Sequence, residues 1–217
     1  MRLALGEAEL HHLRRVLRLR PGRALEVLDG SGRSYRAVLL GWSAPQVEVL
    51  AAEDGAGPVL PAPPAITVLL GALKGPRMDW AVEKLSELGV ERIVPLVASR
   101  SVAPPRVERL RRIARESARQ CGRARLLEVT EPIVPGEAEL PDGLTILLDR
   151  GGPALREVFS ESNRVCLAIG PEGGFSAEET RGFEGRGARP ARLGGLVLRS
   201  ETAAAAAVVA VLALSGR

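Results

Sequence analysis

Residues 165–179 read VCLAIGPEGGFSAEE, and this stretch decides the predicted fold. Its first five residues are apolar, which is typical of a strand buried on both faces of a parallel sheet. A glycine-rich turn follows at 170–174, and Ser176 with Glu179 has the spacing of a capping box that begins a helix. Open α/β sheets bind ligands where a strand ends in such a turn before a helix. The alternative is a tight strand-to-helix turn that binds nothing.

The same alternation of strand and helix extends through residues 65–217. Apolar runs predict strands at 66–70, 93–98, 144–148 and 165–169. Helical spacing predicts helices at 78–88, 105–120, 153–160, 176–185 and 201–214. Strands that alternate with helices indicate an α/β domain with a parallel sheet.

Residues 1–57 predict a smaller unit of a different type. Helical spacing covers 7–18, and strand-like runs follow at 24–28, 35–40 and 46–51, separated by turn sequences at 29–32 and 43–45. Short strands joined by tight turns favour a small β-barrel. Four prolines between 55 and 64 predict a semi-rigid linker, which we place at 58–64.

Composition excludes several classes of protein. The chain has 217 residues, of which 46% are hydrophobic and 26% charged, so we expect a globular protein with a sizeable core. No apolar run approaches the roughly 18 residues of a membrane span, and we see no signal-peptide pattern. Cys121 and Cys166 are too few for a disulfide framework, which favours a reducing compartment and a cytoplasmic location.

The charge pattern leaves two interpretations open. The formal net charge is +4, and all 30 basic residues except Lys74 and Lys84 are arginines. This bias is typical of a GC-rich genome or of adaptation to heat, but arginine also binds phosphate, which makes nucleic acid a candidate partner. The six arginines of the predicted helix 105–120 form either a solvated face or a phosphate-binding surface. Aromatic residues make up 3%, too few for a broad base-stacking platform.

Most common catalytic motifs are absent from the sequence. There is no P-loop, no dinucleotide-binding glycine pattern after the first α/β strand, no zinc spacing and no nucleophile elbow, so we expect no metal. What remains is LGGLVLRSET at 193–202, directly before an alanine-rich helix. Arg199 and Glu201 lie beside this apolar segment, and buried charges persist when they are paired or functional. Two glycine-rich loops side by side predict a concave pocket for an uncharged or cationic small molecule.

A set of motifs, taken in order, resembles the bacterial ribosomal RNA small subunit methyltransferase E family. The motifs are HHLRRVLRL at 11–19, KGPRMD at 74–79, EK at 83–84, ELGV at 87–90, SRSV at 99–102, QCGR at 120–123, IGPEGG at 169–174, LG at 193–194 and LRSET at 198–202. Each motif alone is weak, but their order and spacing together are specific and cover nearly the whole chain. This family comprises SPOUT-class enzymes that use S-adenosylmethionine to methylate N3 of a uridine in 16S ribosomal RNA.

The resemblance implies a PUA-like, RNA-binding β-barrel at 1–57 and, at 65–217, a SPOUT methyltransferase α/β domain tied in a deep trefoil knot. It also implies a homodimer with a shared active site, acting on 16S rRNA or the assembled small ribosomal subunit. Backbone groups of the knot loops hold the cofactor in this family. The corresponding candidates here are Leu148, Ile169, Gly170, Glu172, Gly173, Gly174, Leu193, Gly194 and Leu198.

The chemistry of the reaction suggests roles for further residues. Uracil N3 carries a proton and is a poor nucleophile while protonated. We therefore expect Arg199 to stabilise the negative charge that develops there, and Glu201 to orient Arg199 or accept the proton. Arg123 is expected to hold the target nucleotide or its phosphate. The expected RNA-binding residues are Arg14, Arg15, Arg18, Lys74, Arg77 and Arg100.

Two other functions stay open at this point. One is a related knotted methyltransferase that acts on transfer RNA, and the other is an RNA-binding module without catalytic activity.

Overall fold

The computed structural model describes residues 2–42, 46–53 and 63–216. Two compact units are present, Met1–Val59 and Leu60–Arg217. The predicted turn at 43–45 and residues 58–62 of the predicted linker lie outside the described residues.

The first unit is built on a four-stranded antiparallel sheet with the order β1-β4-β3-β2. Its strands are β1 (Arg2–Ala4), β2 (Ala24–Leu28), β3 (Ser34–Gly41) and β4 (Gln46–Glu53). Ala37, Leu39 and Val47 form its buried centre. The sequence analysis did not predict β1, because a strand of three residues is too short to show alternation.

The predicted helix at 7–18 is shorter in the structure and changes geometry within its length. Helix α1 (Glu7–His11) is followed by five residues with π-helical geometry, His12–Val16. The amide of Leu17 donates to the carbonyl of His12, and Arg18 then adopts a φ of +48°, which ends the helix.

The second unit contains a six-stranded sheet with the order β10-β8-β9-β5-β6-β7. The strands are β5 (Ala65–Gly71), β6 (Arg92–Leu96), β7 (Glu128–Val129), β8 (Leu144–Leu148), β9 (Arg164–Ile169) and β10 (Arg189–Ala191). All adjacent pairs are parallel, which confirms the predicted α/β class. The two shortest strands, β7 and β10, were not predicted.

Helices cover both faces of this sheet. They are α2 (Pro76–Glu87), α3 (Val107–Cys121), α4 (Leu155–Val158), α5 (Ala177–Gly185) and α6 (Ser200–Leu214). Ile66 and Val68 of β5 pack with α2, α3 and α6, whereas Leu69 packs on the opposite face with Phe183 of α5. This follows from the two-residue period of a strand, and it buries β5 and β9 in the middle of the unit.

Helix α4 is shorter than the predicted helix 153–160. Two hydrogen bonds join the start of this segment to the residue that follows β10. The amide of Leu155 donates to the carbonyl of Arg192, and the amide of Arg192 donates to the carbonyl of Pro153. These bonds tie residues 153–155 to the end of β10, so the helix begins only at Leu155.

Candidate functional site

Three loops meet at the carboxyl ends of β8, β9 and β10 and enclose a cavity of about 340 Å³. All nine predicted cofactor-binding residues line it: Leu148, Ile169, Gly170, Glu172, Gly173, Gly174, Leu193, Gly194 and Leu198. The lining also includes Arg150, Thr180 and Ser200, which the sequence analysis did not single out. Arg150 is the second residue after β8, so its position beyond a strand end was the available signal.

The glycine-rich loop after β9 is packed so closely that side chains are excluded. A Cβ atom on Gly170 would lie 2.8 Å from the backbone nitrogen of Phe175, and one on Gly71 would collide with the backbone of Pro171. Gly174 adopts a φ of +70°, a conformation that favours glycine. At these glycines the main chain itself lies at the cavity, beside the side chain of Glu172.

The loop at 193–198 offers its main chain to a ligand. Within the described part of the chain, none of its amide or carbonyl groups makes a hydrogen bond. Leu196 and Val197 in the same loop are 85% and 71% exposed. Unpaired main-chain groups at the edge of a cavity are available to bind a ligand through its hydrogen-bonding atoms.

Helix α5 begins beside the cavity with the predicted capping box, which is confirmed. The hydroxyl of Ser176 accepts from the amide of Glu179, and the Glu179 carboxylate accepts from the amide of Ser176. The same carboxylate accepts from the amide and hydroxyl of Ser99, in the loop after β6. Burial raises the pKa of Glu179, but the hydrogen bonds that its carboxylate accepts from Ser176 and Ser99 outweigh it and leave the pKa below its usual value.

Arg100, which is exposed and also lines the cavity, and Arg77 both contact the glycine-rich loop. The Arg100 guanidinium donates to the carbonyl of Gly173 at 2.7 Å. Arg77 donates to the carboxylate of Glu172 at 3.0 Å. Both arginines were predicted to bind RNA, and the structure engages both in contacts within the protein.

The expected pairing of Arg199 with Glu201 is not formed. Residues two apart at the start of a helix point in different directions, and here Glu201 is buried whereas Arg199 is exposed. The Glu201 carboxylate faces Nε of Arg77 at 3.8 Å. Arg199 lies between Leu198 and Ser200, which both line the cavity, and its guanidinium has no hydrogen bond or ion pair to the described residues.

The structure places Arg123 away from this cavity. Its guanidinium donates to the carbonyls of Ser86, Gly89 and Val90, where α2 ends. Helix α2 runs back from the carboxyl end of β5, so its last turn lies at the opposite edge of the sheet. Burial lowers the pKa of Arg123, and the three carbonyls occupy its donors. Arg123 therefore does not line the cavity of this chain, and its role toward the target nucleotide stays a prediction.

The remaining candidate RNA-binding residues are exposed. Arg15 and Arg18 lie on the surface of the first unit, Arg14 stacks 5.7 Å over the Trp42 ring, and Lys74 lies in the loop after β5. In α3, by contrast, ion pairs engage three of the arginines: Arg109 with Asp79, Arg111 with Glu108 and Glu131, and Arg112 with Glu116. The structure thus favours a solvated, ion-paired face for α3.

The described residues show neither a cluster of metal-ligating side chains nor a helix that could span a membrane. Residues 2–42, 46–53 and 63–216 contain no group of three or more His, Cys, Asp or Glu side chains placed to hold a metal ion. No helix in these ranges is long and apolar enough to cross a membrane.

Comparison with family models matches both units. A model described as an RNA methyltransferase domain matches residues 61–212, and one described as an RNA methyltransferase PUA domain matches residues 5–50.

Individual relatives agree with these matches over the whole chain. The ribosomal RNA small subunit methyltransferase E of Synechocystis is 32% identical over 98% of this chain and 73% of its own length. The Neisseria gonorrhoeae protein of the same name, solved bound to S-adenosylmethionine, superposes with a TM-score of 0.89 at 27% identity, covering 99% of this chain and 92% of that one. A methyltransferase from Legionella pneumophila, also solved with that cofactor, has a TM-score of 0.85 at 29% identity, covering 98% and 92%.

Proposed function

This chain belongs to the ribosomal RNA small subunit methyltransferase E family, and we propose that it transfers a methyl group from S-adenosylmethionine to N3 of a uridine in 16S ribosomal RNA. One observation supports this most directly. The three loops predicted to bind the cofactor converge on one cavity, and the unpaired cation Arg199 lies at its edge. The fold is that of a SPOUT-type α/β domain preceded by a PUA domain, and the deep knot stays a prediction.

The residues present fit S-adenosylmethionine, which supplies a methyl group activated by a positively charged sulfur. The free amides and carbonyls at 193–198 suit the hydrogen-bonding groups of an adenosine. The cavity wall carries both signs of charge, with the carboxylates of Asp149 and Glu172 and the guanidinium groups of Arg100, Arg150 and Arg192. S-adenosylmethionine likewise has a cationic sulfur and ammonium group and an anionic carboxylate, which suits such a lining. Leu148, Ile169 and Leu198 provide apolar contacts for a planar base.

We assign the electrostatic role in the reaction to Arg199. Uracil N3 would lose its proton to solvent water, and its bond to the methyl carbon would form as the bond between that carbon and the sulfur breaks. Until then N3 and the carbonyl oxygens O2 and O4 share the negative charge. A guanidinium held at the start of α6 stabilises that charge without having to break an existing ion pair. Glu201 does not line the cavity, so we give it no direct contact with the uracil.

The RNA is proposed to follow the carboxyl edge of the second unit's sheet. Lys74, Arg106, Arg150 and Arg199 follow β5, β6, β8 and β10, and each is exposed and unpaired among the described residues. These strands lie at different places across the sheet, from β10 to β6 in the order β10-β8-β9-β5-β6. N3 takes part in base pairing, so the target uridine must leave its pair to reach the cavity. In the first unit, Arg14, Arg15 and Arg18 are proposed as further phosphate contacts.

We also propose that the enzyme is a homodimer that acts on 16S rRNA or the assembled small subunit, in the cytoplasm where its substrate is found. Helix α6 is apolar all round, yet Val209 is half exposed, and Leu196 and Val197 project from the neighbouring loop. An apolar surface of this kind is typical of an interface, and a second copy of the chain is the partner that the family resemblance implies.

The test is a methylation assay on 16S RNA and on small subunits that lack the modification. Products are digested and nucleosides analysed by mass spectrometry for 3-methyluridine. We expect Arg199→Ala to lower kcat about 100-fold while calorimetry shows unchanged affinity for S-adenosylmethionine. Arg115→Ala, an exposed and unpaired arginine of α3, is the matched control and should retain full activity.

The same experiments separate the two other functions. A non-catalytic module would bind no S-adenosylmethionine in the calorimeter. An enzyme specific for transfer RNA would leave 16S RNA unmodified and methylate a transfer RNA fraction instead. Normal kcat in Arg199→Ala would remove the role given to Arg199.

A further inference from the structure

Arg77 lies between two carboxylates that belong to different elements, the glycine-rich loop and helix α6. Its Nη1 is 3.0 Å from Oε1 of Glu172, in the glycine-rich loop after β9. Its Nε is 3.8 Å from Oε1 of Glu201, in the first turn of α6. The Glu201 side chain is 9% exposed, and its Oε2 has no hydrogen-bond partner among the described residues.

Helix electrostatics explain why these three residues occur together. Arg77 is the second residue of α2, after Pro76, and the N-terminus of a helix disfavours a cation. Glu172 and Glu201 compensate for this. Conversely, Arg77 is the only cation within 4 Å of the Glu201 carboxylate in the described chain, so removing it leaves a buried and uncompensated charge.

The contacts of Arg77 connect two walls of the cavity that come from separate elements of the chain. Glu172 and its neighbours form the wall after β9, and Ser200 and Ala203 of α6 face the cavity beside Glu201. On its other side the glycine-rich loop is held by Arg100 through the carbonyl of Gly173. The loop is thus fixed from two directions by guanidinium groups.

We propose that Arg77 is a positioning residue for the methyl transfer. Through Glu172 and Glu201 it holds the glycine-rich loop at a set distance from the first turn of α6, and so keeps the cofactor cavity in its binding shape. This assignment rests on the proposed function and replaces the RNA contact that the sequence predicted for Arg77.

The experiment compares Arg77→Met and Arg77→Lys with the full-length wild-type protein. We expect Arg77→Met to raise the KM for S-adenosylmethionine about 10- to 100-fold, because a loop displaced by about 1 Å weakens its contacts on that scale. The change in kcat should be small by comparison. Arg77→Lys should recover part of the affinity, since one ammonium group can pair with one of the two carboxylates at a time.

RNA affinity measured against salt concentration distinguishes positioning from phosphate binding. Loss of one phosphate contact lowers the slope of log affinity against log salt by about 0.7–0.9. Arg77→Met should leave this slope unchanged. Lys74→Met, three residues earlier, exposed and unpaired, is the matched control and should lower it without changing the KM for the cofactor.

A second pair of variants tests the coupling directly. Glu172→Gln alone should raise the KM for S-adenosylmethionine. The fold-increase in this KM in the double variant with Arg77→Met should be smaller than the product of the two single fold-increases. Independent effects, a lowered salt slope, or an unchanged KM in Arg77→Met would each overturn the proposal. If Arg77→Met does not fold, Arg77→Lys and Glu172→Gln still decide it. A wild-type protein that binds no S-adenosylmethionine would instead refute the proposed function.

Discussion

At the scale of single residues, many arginines of this protein bind its own main chain. Arg123 donates to three carbonyls at the end of α2, and Arg192 donates to the carbonyl of Gly152. Arg186 donates to the carbonyls of Pro135, Gly136, Ala138 and Gly182. A guanidinium has five donors in a fixed plane, so it satisfies several carbonyls where a helix or loop ends. An arginine-rich composition therefore indicates a nucleic-acid surface only for those arginines that have no partner within the protein.

This use of arginine predicts a specific loss of stability in Arg186→Met. The change removes the guanidinium from four carbonyls, of which that of Pro135 keeps the amide of Ala138, and we expect the free energy of unfolding to fall by about 1–3 kcal/mol. Urea denaturation followed by circular dichroism measures it. Arg181→Met, on the same helix but without a partner among the described residues, should change stability by less than about 0.5 kcal/mol. Equal effects in the two variants would contradict the interpretation.

The Cys166 thiol plays no part in the proposed reaction. Burial raises the pKa of Cys166 to about 12, so its thiol stays protonated and unreactive at neutral pH. Cys166 lies on the face of the sheet that packs with α5, opposite to the face covered by α2, α3 and α6.

At the scale of elements, the segment from Ser176 to Glu179 links the start of α5 to the loop after β6. Glu179 closes the capping box and also accepts two hydrogen bonds from Ser99. Arg100 follows Ser99 and donates to a carbonyl of the glycine-rich loop. The Glu179 carboxylate therefore stabilises this loop indirectly, through Ser99 and Arg100. A charged hydrogen-bond acceptor in such a place makes the stability of the element depend on pH.

We predict that Glu179 contributes to the acid sensitivity of the protein. Its pKa in the folded chain lies below the ordinary value of 4.5, so its stabilising effect is present above that pH and is lost as the pH falls through the folded value. Urea midpoints measured from pH 7 down to about pH 3 should therefore fall less steeply in Glu179→Gln than in the wild type. Glu178→Gln, the exposed neighbour, should follow the wild-type curve.

At the scale of the whole molecule, two units with different sheets share one chain. The second unit gathers the carboxyl ends of its parallel strands at one edge, and that edge carries both the cavity and the unpaired cations Lys74, Arg106, Arg150 and Arg199. An apolar surface on α6 and in the loop at 193–198 adjoins the same region. The proposed homodimer would cover it and bring a second subunit close to the cofactor.

Disruption of this surface should separate the subunits. Val209→Glu places a charge on the exposed apolar side of α6, and we expect the dissociation constant of the dimer to rise more than about tenfold in sedimentation experiments. Methylation should fall with it. Val134→Glu, an equally exposed valine beside the short helical turn Pro135–Glu137, is the control and should remain dimeric. A monomeric wild type would refute the proposed shared site.

Local patterns in the sequence determined most of the fold and the position of the glycine-rich loop that lines the site. Five strands match their predicted runs closely, because apolar runs and the turns between them are encoded by adjacent residues. The cofactor-binding candidates were supplied by the family resemblance, and they line the cavity because they lie at or after the ends of β8, β9 and β10, which share one edge of the sheet.

The tertiary structure alone decided which charged groups meet. Arg77 and Glu172 are separated by 95 positions, and no local pattern connects them. The same holds for Arg123 and the carbonyls of α2, and for the separation of Arg199 from Glu201. Periodicity reports which side of an element is buried, but the partner of a side chain depends on how distant elements pack, and that packing exists only in the folded chain.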